Sequence, residues 1–479
     1  SLVTDGANAF QDCTALTTAP NFSVWPLLPG TDRTEMFRNC NQFNGAVYPN
    51  LLTGATSISG VFQDCALFDN GSVSMAPIAL GAGCDYSSAF EGASTFNQFP
   101  PTAAAPGPDM SRVFAFASSF NRNLGTGFVT SAVTTMEAMF AGAGAFDNGG
   151  SDDMGTWDVT SVTTINDMFQ FAASFSRRIF GSGAGFWDPA AMTACVGSFL
   201  GCSAFNNGGF SMQGSVLPVG ADLSSMFNGC TALTVLPPSC LGVANATGTF
   251  AGCSLFNAAG LGGIWTTSGC TSFQSTFTNC VVFDQDLGTG FVDAACTTLQ
   301  SMFDGAAAYN NGGNDFLLSW DVSGVTTMER CFAGDLAINH EILHSTGWNF
   351  AALTSLANCS SMFDGASGFA NGGLPVQIDF SAGGARTVDC TRMLADCVSL
   401  LQSVTLLLST TAGSSFTCTD MFVGCTLFDS DLSATDVQYL QVPGFNSFQG
   451  TAWSQVNFDL AMEAWAFTQS ASPPSGPNL

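Results

Sequence analysis

The amino-acid sequence predicts a repeat solenoid of about 17 coils, each with a short parallel β-strand and a short helical turn. Three observations give this prediction. A large apolar residue, which we call the anchor and which is Phe in every unit but one, recurs at steps of 23 to 31 residues. Cys or Ala commonly stands three residues later, at position +3, and a second large residue, usually Phe, stands at position +6. These three positions share one face of a helical turn, so stacked units can build a continuous core.

The anchor positions define the units along the whole chain. The anchors are Phe10, Phe37, Phe62, Phe90, Phe114, Phe140, Phe169, Phe199, Phe227, Phe250, Phe277, Phe303, Phe332, Phe363, Leu394, Phe422 and Phe448. The Cys/Ala alternation at +3 indicates a tight buried site. Asn or Asp commonly follows position +6, and we expect these side chains to stack as a ladder that satisfies loop backbone groups. The chain after +6 is expected to be extended, as in the alternating segment Leu233 to Pro237.

Several segments resemble a known repeat family. Phe227 to Leu233 (FNGCTAL), followed by Val235 to Pro237, is similar to the BspA-like leucine-rich repeat. Trp157 to Thr164 (WDVTSVTT) and Trp320 to Met328 (WDVSGVTTM) resemble the related 26-residue repeat of bacterial and protist surface proteins. The resemblance implies a leucine-rich-repeat-like solenoid on a cell surface, used for adhesion, matrix contact or host contact.

The repeats predict one continuous domain followed by a short tail. Residues 1–455 are expected to form a single solenoid, in which units 114–276 and 277–447 look like a six-repeat duplication. The matching flanks are LGTGFV at Leu124 and again at Leu287. Residues 456–479 are expected to form a short helix, Ala461 to Phe467, and a Pro/Ser tail.

Composition narrows the possible partners and the compartment. The net charge is -27 and all nine basic residues are Arg, which excludes nucleic acid as a partner because phosphate binding needs a basic face. Apolar runs are far too short for a membrane span. Eighteen Cys and four Asn-X-Ser/Thr sequons favour an extracellular, secreted protein. The candidate N-glycosylation sites are Asn21, Asn70, Asn245 and Asn358.

The cysteines predict disulfide bridges between neighbouring coils. A Cys at +3 is often followed by a Cys upstream of the next anchor. The candidate pairs are Cys65 with Cys84, Cys230 with Cys240, Cys253 with Cys270, Cys280 with Cys296, and Cys397 with Cys418. The alternative is that the +3 cysteines are buried free thiols that pack as Ala does.

One segment matches a catalytic motif. His340 to His344 (HEILH) has the HExxH pattern, which needs both His on one helical turn to bind zinc. The repeat register instead predicts an extended segment, in which these side chains lie too far apart for one metal ion. Acidic clusters at Asp152–Asp153 and Asp284–Asp286 are interpreted as solvated loops, with loose calcium sites as the alternative. We predict no enzyme activity, no cofactor and no metal centre.

The sequence predicts a structural function. The leading hypothesis is an extracellular protein that assembles end to end into a filament or surface layer, with the tail Pro473 to Leu479 contacting a neighbouring copy. It rests on short ends without capping helices and on a nearly uncharged polar surface. The alternative is a monomeric cell-surface adhesin or binding module for protein or glycan ligands.

Overall fold

The computed structural model describes residues 5–18, 30–103, 105–129, 131–344, 347–382, 384–433, 440–441, 448–457 and 459–461. These residues form a β-solenoid with parallel strands, which confirms the predicted fold class. The chain divides into two compact units, Ser1–Gly242 and Val243–Leu479. One continuous solenoid and an internal duplication therefore stay predictions. The Pro/Ser tail, and the predicted C-terminal helix beyond Ala461, lie outside the described residues.

The regular elements are short. The described α-helices are α1 (Pro49–Leu52) and α2 (Leu261–Ile264). The 3-10 helices are Asn70–Ser72, Asn148–Gly150, Asp153–Thr156, Asn207–Gly209, Asn311–Gly313, Asp315–Ser319 and Asn371–Gly373. The strands are β1 (Ala79–Leu80), β2 (Thr102–Ala103), β3 (Val216–Asp222), β4 (Ser239–Asn245), β5 (Val376–Asp379), β6 (Thr387–Asp389), β7 (Val404–Leu407), β8 (Ser415–Thr417) and β9 (Leu440–Gln441). The pairs β1–β2, β5–β7, β6–β8 and β8–β9 are parallel.

The segment around each anchor is a chain of turns, so the predicted helical turn is wrong. In the coil of Phe37, the N–H groups of Arg38 and Cys40 donate to the carbonyls three residues earlier. Glu35 at position −2 and Asn39 at position +2 have φ of 52° and 62°. A helix needs negative φ at every residue, so it cannot form here. Successive three-residue turns give the same i, i+3, i+6 spacing that a helix gives.

Alternate backbone amides hydrogen-bond to the next coil. The N–H groups at positions −4, −2, 0 and +2 donate to the carbonyls at −5, −3, −1 and +1 of the following coil. From the coil of Phe37, the donors Arg33, Glu35, Phe37 and Asn39 lie 3.0, 2.7, 3.0 and 2.8 Å from the carbonyl oxygens of Ser57, Ser59, Val61 and Gln63. We call these four rows of peptide groups the amide columns. They join the coils where regular strands are absent.

Position −5 carries the parallel β-bridges. Thirteen residues at this position form isolated bridges: Asp32, Ser57, Asp85, Asp109, Thr135, Thr164, Ala194, Asp222, Ser272, Thr298, Thr327, Asn358 and Asp389. The solenoid thus has about 13 bridged turns, fewer than the about 17 predicted. Four of the predicted repeats have no isolated bridge at −5. In two of them position −5 lies in a regular strand (Asn245 and Thr417). The other two are the first repeat and the last repeat, whose position −5 lies outside the described residues. The predicted strand Leu233 to Pro237 is wrong, because the strand begins at Ser239.

The anchor rings form the core as predicted. Within the compact unit Ser1–Gly242, neighbouring anchors such as Phe114, Phe140 and Phe169 stack with ring centroids 5.6 and 5.5 Å apart. The +3 cysteines beyond Cys13 are buried, and most of their thiols donate to the anchor carbonyl of the preceding coil. Cys65 lies 2.9 Å from the Phe37 oxygen in this way. Position +3 therefore favours a small side chain that can also donate a hydrogen bond.

The predicted Asn/Asp ladder is confirmed at position +7. Asn44 Oδ1 accepts the N–H of Asp69 at 2.7 Å, and Asp69 Oδ1 accepts the N–H of Asn97 at 2.8 Å. A second set of Asn begins the NGG and NGS 3-10 helices. The fully buried Asn148 accepts the Leu124 N–H at 2.9 Å and donates to the Ser151 carbonyl at 2.9 Å. These asparagines replace backbone pairing in the loops.

Candidate binding surface

The side chains at positions −5, −3, −2, +1 and +2 form one outward surface, which we call the ladder face. The residues between them at −4, −1 and 0 are buried in the core. Positions −5 and −3 carry mostly Asp, Asn, Ser, Thr, Glu and Gln. Their hydroxyls pair between coils: Thr34 with Ser57 at 2.7 Å, Ser59 with Ser87 at 2.8 Å, and Thr247 with Ser272 at 2.7 Å. The ladder face is thus a regular and internally bonded polar surface.

Arginines on the ladder face are paired with carboxylates. An Arg at −2 binds the carboxylate at +1 of the preceding coil. Arg330 contacts Asp304 at 2.7 and 2.9 Å, and Arg392 contacts Asp364 at 2.8 and 2.9 Å. The hydrogen bond and charge of Asp364 raise the pKa of Arg392. These pairs are partly exposed and add little stability, but they neutralise the basic groups.

Other carboxylates on the ladder face lie near one another. Burial, together with the charge of Glu137, raises the pKa of Asp167. Burial, together with the charge of Glu91, raises the pKa of Asp64. This surface is therefore suited to neutral or cationic ligands and repels anionic ones.

Two aromatic side chains interrupt the polar character of the ladder face. Phe116 and Phe171 occupy position +2 and are 52% and 57% exposed. Alanines at −2 and +1 in the same region, Ala115, Ala138 and Ala141, form a separate buried apolar cluster. Sequence reasoning missed both Phe residues, because it followed only the buried positions of each unit.

The HExxH segment is held in a loop. Residues 340–344 form a bend and a turn, neither the helix that zinc binding needs nor the predicted strand. The His340 ring is 5% exposed, with Nδ1 2.9 Å from Asp315 Oδ1 and Nε2 2.9 Å from the Asn310 carbonyl oxygen. Both ring nitrogens are thus engaged by the protein. The buried His340 holds together loops of neighbouring coils.

None of the eighteen cysteines forms a disulfide bridge in the structure, so the five predicted bridges are absent. Cys65, Cys230, Cys280 and Cys397 donate instead to anchor carbonyls. The structure brings together cysteines of equal position in successive coils. Cys359 Sγ lies 3.4 Å from Cys390 Sγ, and Cys390 also hydrogen-bonds Cys418, all at position −4. Each predicted bridge joins a cysteine at +3 with a cysteine at another position of the repeat, and these two positions do not meet between coils. This is the physical reason why the predicted pairings of Cys84, Cys240, Cys253, Cys270, Cys296 and Cys418 are not formed.

The candidate glycosylation sites differ in exposure. Asn70 is 2% exposed, accepts the Val47 N–H at 2.7 Å and donates to the Val73 carbonyl at 2.8 Å. This amide is inaccessible in the folded protein, so glycosylation there is no longer expected. Asn245 and Asn358 are half-buried, and glycosylation at both stays a prediction. Asn21 lies outside the described residues.

The acidic clusters act as loop acceptors. Asp152 Oδ1 accepts the Arg178 N–H at 3.0 Å, and Asp284 Oδ1 accepts the N–H groups of Asn310 and Gly312 at 2.9 Å. Within the described part of the chain, no group of three or more His, Cys, Asp or Glu is arranged to hold a metal ion. In the same part, no helix is long and apolar enough to cross a membrane.

The fold defines the class of protein: it is a β-solenoid repeat protein with one polar, regularly spaced face. The chain matches the family described as "Mycoplasma protein of unknown function, DUF285" over residues 1–75, 108–235, 221–319 and 295–405, and it belongs to that family. A crystal structure of a leucine-rich repeat protein from Bacteroides ovatus is similar at 14% identity and a TM-score of 0.29, over 95% of this chain and 88% of that one. No curated protein matches the sequence.

Proposed function

We propose that the protein is an extracellular, surface-associated binding module that holds its ligand on the ladder face and performs no catalysis. One observation supports this most directly. The ladder face repeats the same outward positions in coil after coil, so it presents polar groups at a constant spacing of about 4.8 Å. Solenoids use such extended surfaces to hold long ligands. The surface-protein repeats that the sequence resembles support the extracellular assignment.

The test compares two surfaces of the folded protein. The ladder-face variants Glu137→Arg and Gln274→Arg place a long cationic side chain at position −3 of one coil in each of the two compact units. The control variants Ser119→Arg and Val281→Arg place the same group on exposed or partly exposed sites outside the ladder face. Binding of the full chain is measured by biolayer interferometry against neutral, anionic and cationic polysaccharides and extracellular matrix proteins.

The proposal expects at least one ligand of this panel to bind. Its affinity should fall at least tenfold in a ladder-face variant and stay within twofold in both controls. A panel without any binding, or binding lost equally in the controls, would refute it.

End-to-end assembly is a second proposal. Each coil presents carbonyl groups to the preceding coil and amide groups to the following one. Opposite ends of a coil stack are therefore complementary, as in other exposed β-edges. We expect negative-stain electron microscopy of the full chain to show filaments at micromolar concentration. Single particles across that range would exclude assembly by this route.

A further inference from the structure

Position +2 imposes a backbone conformation that large side chains avoid. All seventeen residues at this position have positive φ, and fifteen of them are Gly, Asn or Asp. The two others are Phe116, with φ 59°, and Phe171, with φ 57°. A bulky residue in the left-handed region is strained, and such strain is concentrated at functional sites. Large residues with positive φ occur in this solenoid at position −2, as at Arg330 with φ 55°, but at position +2 these two Phe are the exceptions among seventeen coils.

Neither Phe contributes a buried side chain to the core. Both rings are more than half exposed. Each lies over a glycine of the next coil: a Cβ on Gly142 would stand 2.6 Å from Phe116 Cδ1, and one on Gly201 would stand 2.5 Å from Phe171 Cδ1. One side of each ring thus covers backbone, and the rest is open to solvent. We call Phe116, Phe171 and these two glycines the aromatic platform.

The two rings have a defined separation. Their coils are two steps apart, and the anchor rings of these coils are spaced by 5.6 and 5.5 Å. Because stacked strands repeat about every 4.8 Å, two steps place Phe116 and Phe171 about 10 Å apart along the solenoid axis. Position +2 of the coil between them is Gly142, which the Phe116 ring covers, so this position adds no side chain of its own between Phe116 and Phe171.

This geometry fits an extended chain of sugar rings. A β-1,4-linked hexose chain advances per sugar by a length similar to one coil spacing. Sugars two apart in such a chain present the same face, so Phe116 and Phe171 can stack on every second sugar. The alanines at −2 and +1 keep the neighbouring surface low. Glu137, in the coil of Gly142, is exposed, and the side chain of Gln170, the residue before Phe171, lies 3.0 Å from Asp167, so groups that can bond sugar hydroxyls occur on the same coils.

Charge selects among polymers. Glu137 and Asp167 stand on the ladder face in the coils of Gly142 and Phe171, and Arg112, in the coil of Phe116, is paired with Glu91. The whole chain carries a net charge of -27. An anionic polysaccharide or nucleic acid is repelled from such a surface. A neutral chain meets no such penalty.

We propose that the aromatic platform binds an extended neutral β-1,4-linked glucan chain lying along the solenoid axis. This inference rests on the proposed binding function and names its ligand class and site. Two rings that contact alternate sugars require at least three consecutive sugars for full binding. A trisaccharide is thus the shortest ligand that engages both rings.

The test uses the full chain and soluble cello-oligosaccharides in isothermal titration calorimetry. The variants are Phe116→Asn and Phe171→Asn, because Asn occurs naturally at +2 in Asn39 and Asn279 and tolerates positive φ. These variants are expected to fold with equal or greater stability. Leu67→Asn is the control, since Leu67 is a 44% exposed apolar residue outside the platform.

We expect cellohexaose to bind, each platform variant to weaken binding roughly tenfold, and the control to bind as the wild type does. The loss of affinity from trisaccharide to disaccharide should exceed the loss from hexasaccharide to trisaccharide. Maltohexaose, an α-linked chain that curves, should bind more weakly than cellohexaose.

Absence of cellohexaose binding at millimolar concentration, or equal binding by both platform variants and wild type, would overturn the proposal. Platform-dependent binding of polylysine in place of cellohexaose would also overturn it, in favour of a cationic partner. If another ligand of the panel binds and loses affinity in the ladder-face variants, only the glucan assignment fails. If no ligand loses affinity in those variants, the proposed function fails as well.

Discussion

Asp335 occupies position +3 of its coil, where most other units have Cys or Ala. It is fully buried, and its Oδ1 accepts the N–H groups of Ala337 and Ile338 at 3.1 and 3.3 Å. Its Oδ2 has no hydrogen-bond partner in the protein. Burial raises the pKa of this carboxyl well above its usual value, and the charge of Asp284 adds to the shift. The folded protein therefore keeps Asp335 neutral at pH values where the unfolded chain ionises it.

This raised pKa makes stability depend on pH. Below a pH of about 4, Asp335 is protonated in both states and contributes no pH dependence. Above that pH the unfolded state releases a proton that the folded state retains, so the free energy of unfolding falls by up to about 1.4 kcal/mol per pH unit. The fall continues until the pH reaches the folded pKa. Asp335→Asn keeps the Oδ1 acceptor but cannot ionise, so we expect the variant to lose this component of the slope.

The measurement is urea denaturation of wild type and variant from pH 4 to pH 8, followed by Trp fluorescence. Repeat proteins can unfold in stages. Hydrogen exchange of the amides in the coil of Phe332 therefore serves as a local readout. Asp188→Asn, at an exposed loop carboxylate, is the matched control and should keep the wild-type slope. Equal slopes for wild type and Asp335→Asn would refute the reasoning.

Three further predictions concern the core and the loops. Asn148→Ala removes an acceptor and a donor from buried loop amides, so the free energy of unfolding should fall by about 1–3 kcal/mol in urea denaturation; an unchanged midpoint would contradict this. Phe140→Ala should cost about 3–5 kcal/mol, with loss of hydrogen-exchange protection first in the adjacent coils; uniform loss along the chain would count against nearest-neighbour coupling. Oxidised glutathione under partly denaturing conditions should link Cys359 to Cys390 before other pairs, as peptide mapping would show; a different first bridge would disprove the column arrangement.

Much of the core was predictable because spacing reports burial. From the coil of Phe37 to the coil of Phe422, the anchor, +3 and +6 positions are buried as expected, and the polar residue after +6 forms the expected ladder. The local conformation was not predictable from that spacing, since a chain of three-residue turns satisfies it as well as a helix. The sign of φ decides between them. In the sequence, positive φ at position +2 is indicated by the preference for Gly, Asn or Asp there, as at Gly229 and Asn279.

The predicted position of the strand was wrong for a related reason. The alternation in Leu233 to Pro237 satisfies the period of a strand, but the amide columns lie around the anchors, at −5 to +2. Cysteine pairing failed because sequence order joins neighbours along the chain, whereas a solenoid joins equal positions of successive coils. Cys359 and Cys390 were separated by 31 residues and still meet. The aromatic platform would have been found by comparing position +2 across all units.

The amide columns have an electrical consequence. In each column the carbonyl of a peptide group faces the preceding coil and its N–H faces the following coil, so every peptide dipole in the column points the same way. A regular β-sheet cancels such dipoles, whereas an α-helix adds them. The ladder face of each compact unit therefore resembles a bundle of aligned helix dipoles, with partial negative charge toward the N-terminal coils and partial positive charge toward the C-terminal coils. Hydrogen bonds in such chains also polarise one another, so each added coil strengthens those already stacked.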